Sequence, residues 1–336
     1  TGFCSATAFI DNDHFRELEE TNELTMRANL SIRMDADDPN SSLDELIALD
    51  EYFEGSNLIE VSTAKFFIDG VVEGVTAYLL EPYTPEAGMG DNYVSEPMWD
   101  YDVYEDAMKK VVEAGYQIHV HSIGDAATNM TLDALEAAQK DGGEGDYRNV
   151  ITHVQLIGKD DFARFGQLNL IAAIQPFWSL KEPDWYDTVD ELVLGPERAW
   201  NEYPFGSLKR GGAVITSSGD FPVSPINNPF WAIEAGATRN LNNAEYYGID
   251  DINDMDDPTW LLNPDERLTV KDMVEAYTIN GAYQMFREDK IGSLAVGKEA
   301  DFIIIDKDIM NLDPIDIDSI KVLATYLGGN AVYEGN

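Results

Sequence analysis

The feature that most constrains this chain is an alternation. Short β-branched apolar runs recur at residues 28–34, 62–68, 116–122, 150–155, 170–175 and 213–218. Between them lie segments with the 3.6-residue periodicity of amphipathic helices. One is expected over 103–114, stopped by Gly115, and another over 126–140, ahead of Gly142 and Gly143. A third is expected from Thr269, where Thr-Val-Lys-Asp reads as a variant capping box, to about Phe286. Strands joined by helices lie parallel, so the expected class is α/β with a parallel sheet. Six such strands are visible, and eight close a barrel. Two are therefore missing, or the sheet stays open.

Past residue 290 the pattern changes. A glycine turn precedes the apolar run 302–305, and KVLATYLGGNAVYEG reads as a hairpin turning at Gly328-Gly329-Asn330. The expected organisation is a main α/β unit over 1–289 and a small β-module over 290–336. The acidic, Asn/Asp/Pro-rich stretch 241–264 is expected to be a long surface loop or an insertion.

Charge excludes some functions. Against 22 Lys+Arg stand 63 Asp+Glu, a net charge of −41 in 336 residues. Phosphate binding and anionic-lipid docking both need basic patches, so neither nucleic acid nor membrane is an expected partner. The acidity fits a solvated surface or a salt-rich habitat equally well. The single cysteine, Cys4, permits no internal disulfide. The chain starts at Thr1 with no visible leader, so we expect a cytoplasmic protein and a piece of a longer polypeptide.

The residues that carry chemistry gather at the ends of the strand candidates. His119 and His121, two apart, share one face of their strand. His153 ends the next, Asp220 follows the last, and Lys65 sits inside an apolar strand, an expensive place for an ammonium. Strand C-termini converge on one mouth, where histidines and an aspartate suit a divalent metal such as zinc. Each residue also has an ordinary explanation. A strand histidine is often a satisfied core residue, Lys65 could pair with Asp69 or Glu73, and Asp220 could cap a turn. By residue type and spacing alone, metal binding and these ordinary explanations stay in balance.

Several motifs together resemble the amidohydrolase superfamily, in the branch that includes N-substituted formamide deformylases. They are KFFIDGVVEGVTAYLLEPY (65–83), HSIGDAA (121–127), THVQL (152–156), AAIQP (172–176), SGDFPV (218–223), AYTINGAY (276–283) and GSLAVGKEADFIIID (292–306). The resemblance implies a (β/α)8 TIM-type barrel, here incomplete with the family's strands three to eight, and a C-terminal portion of a β-sandwich. It implies a centre of one or two divalent ions, zinc foremost, hydrolysing a carbon–nitrogen bond of a small amide or formamide-like substrate. Lys65 matches a lysine that many relatives carboxylate to bridge two metals. His121 and His153 match metal ligands, and Asp220 the aspartate that orients the attacking water and shuttles its proton. His119 reads as a neighbour of the site, with Asp125 and Thr76 as supporting or substrate-side groups.

One departure is large. The family's first strand ends in a His-x-His pair, and the only such pair here is His119/His121. The family's strands one and two and half of the sandwich are thus expected to lie outside this chain. Either a further N-terminal segment or an oligomeric partner then completes the barrel. Two other readings stand beside the hydrolase: an inactive fragment that keeps the fold, and a metal-free enzyme in which Lys65 forms a Schiff base. Metal analysis and borohydride trapping separate the three.

Overall fold

The computed structural model describes residues 2–4, 12–224 and 227–335. Seven strands form one parallel sheet in sequence order: β1 (Gly2–Cys4), β2 (Arg27–Arg33), β3 (Ile59–Phe67), β4 (Gln117–Ser122), β5 (Val150–His153), β6 (Ile171–Ile174) and β7 (Val214–Ser217). The six expected strands are all present, each within about three residues of the expected ends. The count of six is corrected to seven, because Gly2–Cys4 adds a parallel strand beside β2. Three residues are too short to show a period, so no pattern announced it. Among the described residues β1 and β7 are the two margins of the sheet, which does not close on itself.

Helices follow the strands as parallel crossovers require. α1 (Asn12–Glu20) and α2 (Pro39–Phe53) bracket β2, while α3 (Tyr101–Glu113) precedes β4 and α4 (Asp125–Gly142) follows it. α2 starts where Asp38 accepts a hydrogen bond from the Ser41 N–H and Pro39 occupies the first turn. Alternate residues of β2 divide sharply. Ala28, Leu30 and Ile32 enter the apolar core with Leu46 and Phe53 of α2, while Asn29 and Ser31 sit on the opposite, polar face. That face continues through Thr63 and Lys65 of β3 and Gln117, His119 and His121 of β4. A sheet face this polar is built for a site.

Two expectations need correction. The helix expected over 269–286 is two helices, Val270–Ala276 and Ile279–Gln284. The Thr269–Asp272 capping box is present, but Thr278 leaves the helical region at φ −126, ψ −94. Its hydroxyl donates back to the Val274 carbonyl at 2.6 Å, and the Asn280 amide reaches the Ile215 carbonyl of β7 at 2.9 Å. Local side-chain bonds and an anchor to the sheet outcompete the helical ladder. The stretch 241–264 is not wholly a surface loop either. Leu241 and Leu262 are buried, and a short helix, Ala244–Tyr247, interrupts it.

The chain ends in a three-stranded antiparallel sheet ordered β10 (Asn330–Glu334), β9 (Val322–Leu327), β8 (Phe302–Ile305), with the expected turn at Gly328-Gly329 at φ +55 and +81. Among the described residues no helix is long and apolar enough to cross a membrane.

Candidate metal and catalytic centre

The strand register assembles the site. Lys65 on β3 lies directly across from His119 on β4, and Phe67 across from His121. Ser122 of β4 faces His153 of β5. The two histidine rings at the strand ends meet edge to face, their centroids 4.5 Å apart. His153 also lies nearly flat against Trp178, at 5.6 Å.

Hydrogen bonds fix what each ring can offer. His121 Nε2 stands 2.9 Å from the Gly70 carbonyl. A carbonyl only accepts, so Nε2 carries the proton and Nδ1 keeps its lone pair. His153 is set the other way: its Nδ1 lies 2.9 Å from Gln175 Oε1. The Gln175 amide nitrogen donates to Thr152, Ala173 and Ser218, which orients its oxygen toward the imidazole. His153 therefore holds its proton on Nδ1 and leaves Nε2 free. The pair thus keeps one uncommitted nitrogen each, Nδ1 of His121 and Nε2 of His153.

Both rings are neutral. Burial, with the Lys65 cation adding to it, pushes His121 down to about 4. Burial, then His121 and Lys65, pushes His153 well below the usual histidine range. Neutral imidazoles are what metal ligation requires. Asp69 Oδ1 is 3.8 Å from His121 Nε2, but with a neutral ring this is a contact and not an ion pair. The Asp69 carboxylate instead accepts from the Tyr78, Ile123 and Gly124 N–H groups at 2.8 to 3.0 Å. Burial still raises it, to about 7, against those three donors.

The remaining residues singled out in the sequence fall as follows. Lys65 is 2 % exposed, its ammonium 5.0 Å from the Phe67 ring, and its charge is felt by all three buried histidines and by Asp220. Asp220 is half-buried at φ +50 beyond β7, and burial raises its carboxyl while Lys65 opposes the rise. His119 is buried with both ring nitrogens unpartnered, and burial and Lys65 hold it neutral. Thr76 is exposed and spends its hydroxyl on the turn at Val71. Asp125 accepts from Leu80 N–H at 2.8 Å, joining the loop after β3 to α4.

Two supports were not read as such in the sequence. Asp69, named there only as a possible partner of Lys65, and Gln175 lie in the motifs IDG and IQP, but their roles depend on backbone and amide groups that sequence does not display. Gly124 is a third: a Cβ there would overlap the Tyr78 carbonyl, so only glycine lets this loop lie against the start of α4.

Donors of the right kind are present for a divalent metal: two neutral imidazoles with lone pairs set by their partners, and a buried polar histidine between them and Lys65. The set is partial, since among the described residues no three His, Cys, Asp or Glu side chains draw together closely enough to hold an ion.

A model of the amidohydrolase family matches residues 6–333. The chain belongs to the amidohydrolase family. Among its relatives, protein LONG AFTER FAR-RED 3 of Arabidopsis thaliana is 34% identical over 283 residues, covering 83% of this chain and 44% of that protein. An N-substituted formamide deformylase of Arthrobacter pascens is 21% identical over 229 residues, covering 68% of this chain and 39% of the enzyme. An uncharacterized metal-dependent hydrolase of Pyrococcus furiosus superposes with a TM-score of 0.68 at 26% identity, covering 92% of this chain and 56% of that one. This amidohydrolase chain thus spans about half the length of the proteins it resembles.

Proposed function

We propose that this chain carries the later ligands of a metal-dependent hydrolase that cleaves the carbon–nitrogen bond of a small amide or formamide-like substrate. The observation that supports it most is that His121 and His153, neutral rings in contact, each keep one ring nitrogen uncommitted, Nδ1 and Nε2 respectively. His121 and His153 would hold a divalent ion, zinc foremost, with Lys65 and Asp220 as the further members that the motifs supply. Such an ion polarises a carbonyl and acidifies water when bound. Asp220 has the properties of the proton carrier: a carboxyl raised by burial accepts a proton and returns it to the leaving nitrogen more readily than an exposed one. Trp178, flat against His153, packs one face of that ring.

In this reading β1 to β7 are part of a (β/α)8 barrel and β8 to β10 part of a flanking sandwich. Polypeptide outside this chain, from a further N-terminal segment or a partner copy, supplies closure and the first ligand pair. Two open sheet margins and the partial donor set motivate that reading. The same partial set favours one alternative, an ion-binding chain without turnover.

Metal content on the purified chain, and amine release from the chain completed by its N-terminal segment or a partner copy, test both. Zinc bound near one equivalent with release of amine from an N-formyl amine supports the hydrolase. Zinc without amine supports the alternative. A chain that takes no zinc at micromolar concentration sinks both.

A further inference from the structure

Four carboxyls gather in the loops beyond the C-terminal ends of the strands. Glu73 lies in the loop after β3, and Glu182, Asp190 and Glu202 lie between β6 and β7. They descend from rim to floor: Glu73 is exposed, Glu182 and Asp190 are half-buried, and Glu202 is 1 % exposed. The floor is tied to the histidine pair. Gln155, two residues past His153, donates its side-chain amide to Glu202, and its carbonyl accepts from Tyr203 N–H at 2.8 Å. The Trp178 ring stands between, 5.6 Å from His153 and 6.5 Å from Tyr203.

These carboxyls lack a counter-ion. Among the described residues none of the four forms an ion pair. Burial, then Glu73 and Glu182, raises Asp190 to about 7, and no cation opposes the rise. Burial, then Asp190, raises Glu202 well above the usual carboxylate range. The Arg239 cation acts on Glu202 but is committed elsewhere: its three guanidinium nitrogens donate to the backbone carbonyls of Leu262, Tyr203 and Glu202. Lys181 is the sequence neighbour of Glu182, yet its ammonium lies over the rings of Trp200 at 5.1 Å and Tyr186 at 5.6 Å. Buried carboxylates in folded proteins are paired, so this set is short of one cation.

A second observation points to a ligand. Tyr203 is 7 % exposed, and its hydroxyl has no hydrogen-bond partner among the described residues. Burial, then the charges of Glu202, Asp190, Glu73 and Glu182, raises this phenol, so its oxygen faces the same four groups. Among the described residues no three acids draw together closely enough to hold a bare metal ion. Acceptors spread this way suit an ammonium or guanidinium, whose several N–H groups reach separate partners beside aromatic faces.

We propose that Glu73, Glu182, Asp190, Glu202 and the Tyr203 hydroxyl form a subsite for an organic cation carried by the amide substrate. The inference rests on the hydrolase reading above and names its substrate class: N-acyl or N-formyl amines that bear an ammonium or guanidinium several bonds from the scissile amide.

A matched pair of ligands tests it. N-formylputrescine carries an ammonium where N-pentylformamide carries a methyl group, and the two are otherwise alike. Ligand-observed NMR on this chain reads binding, and formate release is read on the zinc-loaded chain completed by its N-terminal segment or a partner copy. The expected result is about tenfold or more tighter binding of the ammonium compound, a preference that shrinks as salt rises. Asp190→Asn should remove most of that preference and Tyr203→Phe part of it, both with unchanged melting temperatures. Glu113→Gln, an exposed acid ending α3 at the opposite end of the sheet, should leave it intact, which separates a built subsite from the general pull of an acidic chain. Equal binding of the two ligands, no binding of either, an undiminished preference in both Asp190→Asn and Tyr203→Phe, or an equal loss in Glu113→Gln overturns the subsite. Preference for the ammonium with no formate released keeps the subsite and removes the hydrolase reading. Formate released from both compounds without preference does the reverse.

Discussion

The two flanks of the mouth are held differently. On the β4–β5 flank, His121 and His153 each have one nitrogen committed to a fixed acceptor, and both rings are packed against neighbours. On the β7 flank, Asp220 is half-buried, and its backbone carbonyl holds a turn by accepting from Val223 N–H at 2.8 Å. Among the described residues no hydrogen-bond partner orients its carboxylate in the same way. The difference teaches where preorganisation lies. Ligand nitrogens must be presented without their protons, which demands exact hydrogen bonding. A proton carrier works by changing state, which demands only a raised pKa and some freedom.

That contrast can be broken by substitution. His121→Ala and His153→Ala should each lower zinc affinity by about 100-fold or more, read by calorimetry, whereas Asp220→Asn should leave affinity within a few-fold and remove turnover. Equal losses of zinc from all three would erase the distinction between the flanks. Gln175→Leu sharpens it: with its acceptor gone, His153 loses its fixed tautomer, and zinc affinity should drop ~10-fold to 100-fold without a change in the ligands themselves.

Smaller effects fall on stability. Asp69→Asn keeps the shape but turns one acceptor into a donor facing backbone N–H groups, so a loss of ~1–3 kcal/mol is expected in denaturant melts. Far from the mouth, Glu234 provides a pH test. Burial, then Asp318, raises its carboxyl to about 9. Folded Glu234 thus holds a proton that the unfolded chain has released above its ordinary carboxylate range. The native state binds more protons in that window, so stability falls as pH rises toward 9, by up to ~1.4 kcal/mol per unit. Glu234→Gln should flatten that slope and stabilise the chain at pH 8. A variant whose melts track the parent at every pH would contradict this.

The sequence disclosed these regions unequally. β-branched runs such as VSTAKFFI and YQIHVHS are legible because burial on a parallel sheet leaves a continuous apolar signature. The histidines stood out because imidazoles at strand ends break that signature. What stayed hidden was relational. Nothing at Gln175 says that its amide will face His153, and nothing in GFC says that three residues will extend the sheet. α2 escaped notice although its Asp-Pro start is a legitimate helix signal, because its apolar stripe is narrow. The break at Thr278 was masked by an unbroken apolar period on either side of it.

Gly124 gives the molecule an unexpected point of fragility. It has no functional group, touches no candidate ligand and would pass unremarked in any survey of reactive side chains. Yet the Tyr78 carbonyl occupies the space that a methyl group at this position would need. Gly124 N–H also helps hold Asp69, and the same loop carries the Gly70 carbonyl that keeps the proton of His121 in place. Replacing one hydrogen atom here would push the loop outward and let the imidazole turn. The chemistry of the mouth is thus hostage to a volume of one carbon, at a residue that does no chemistry.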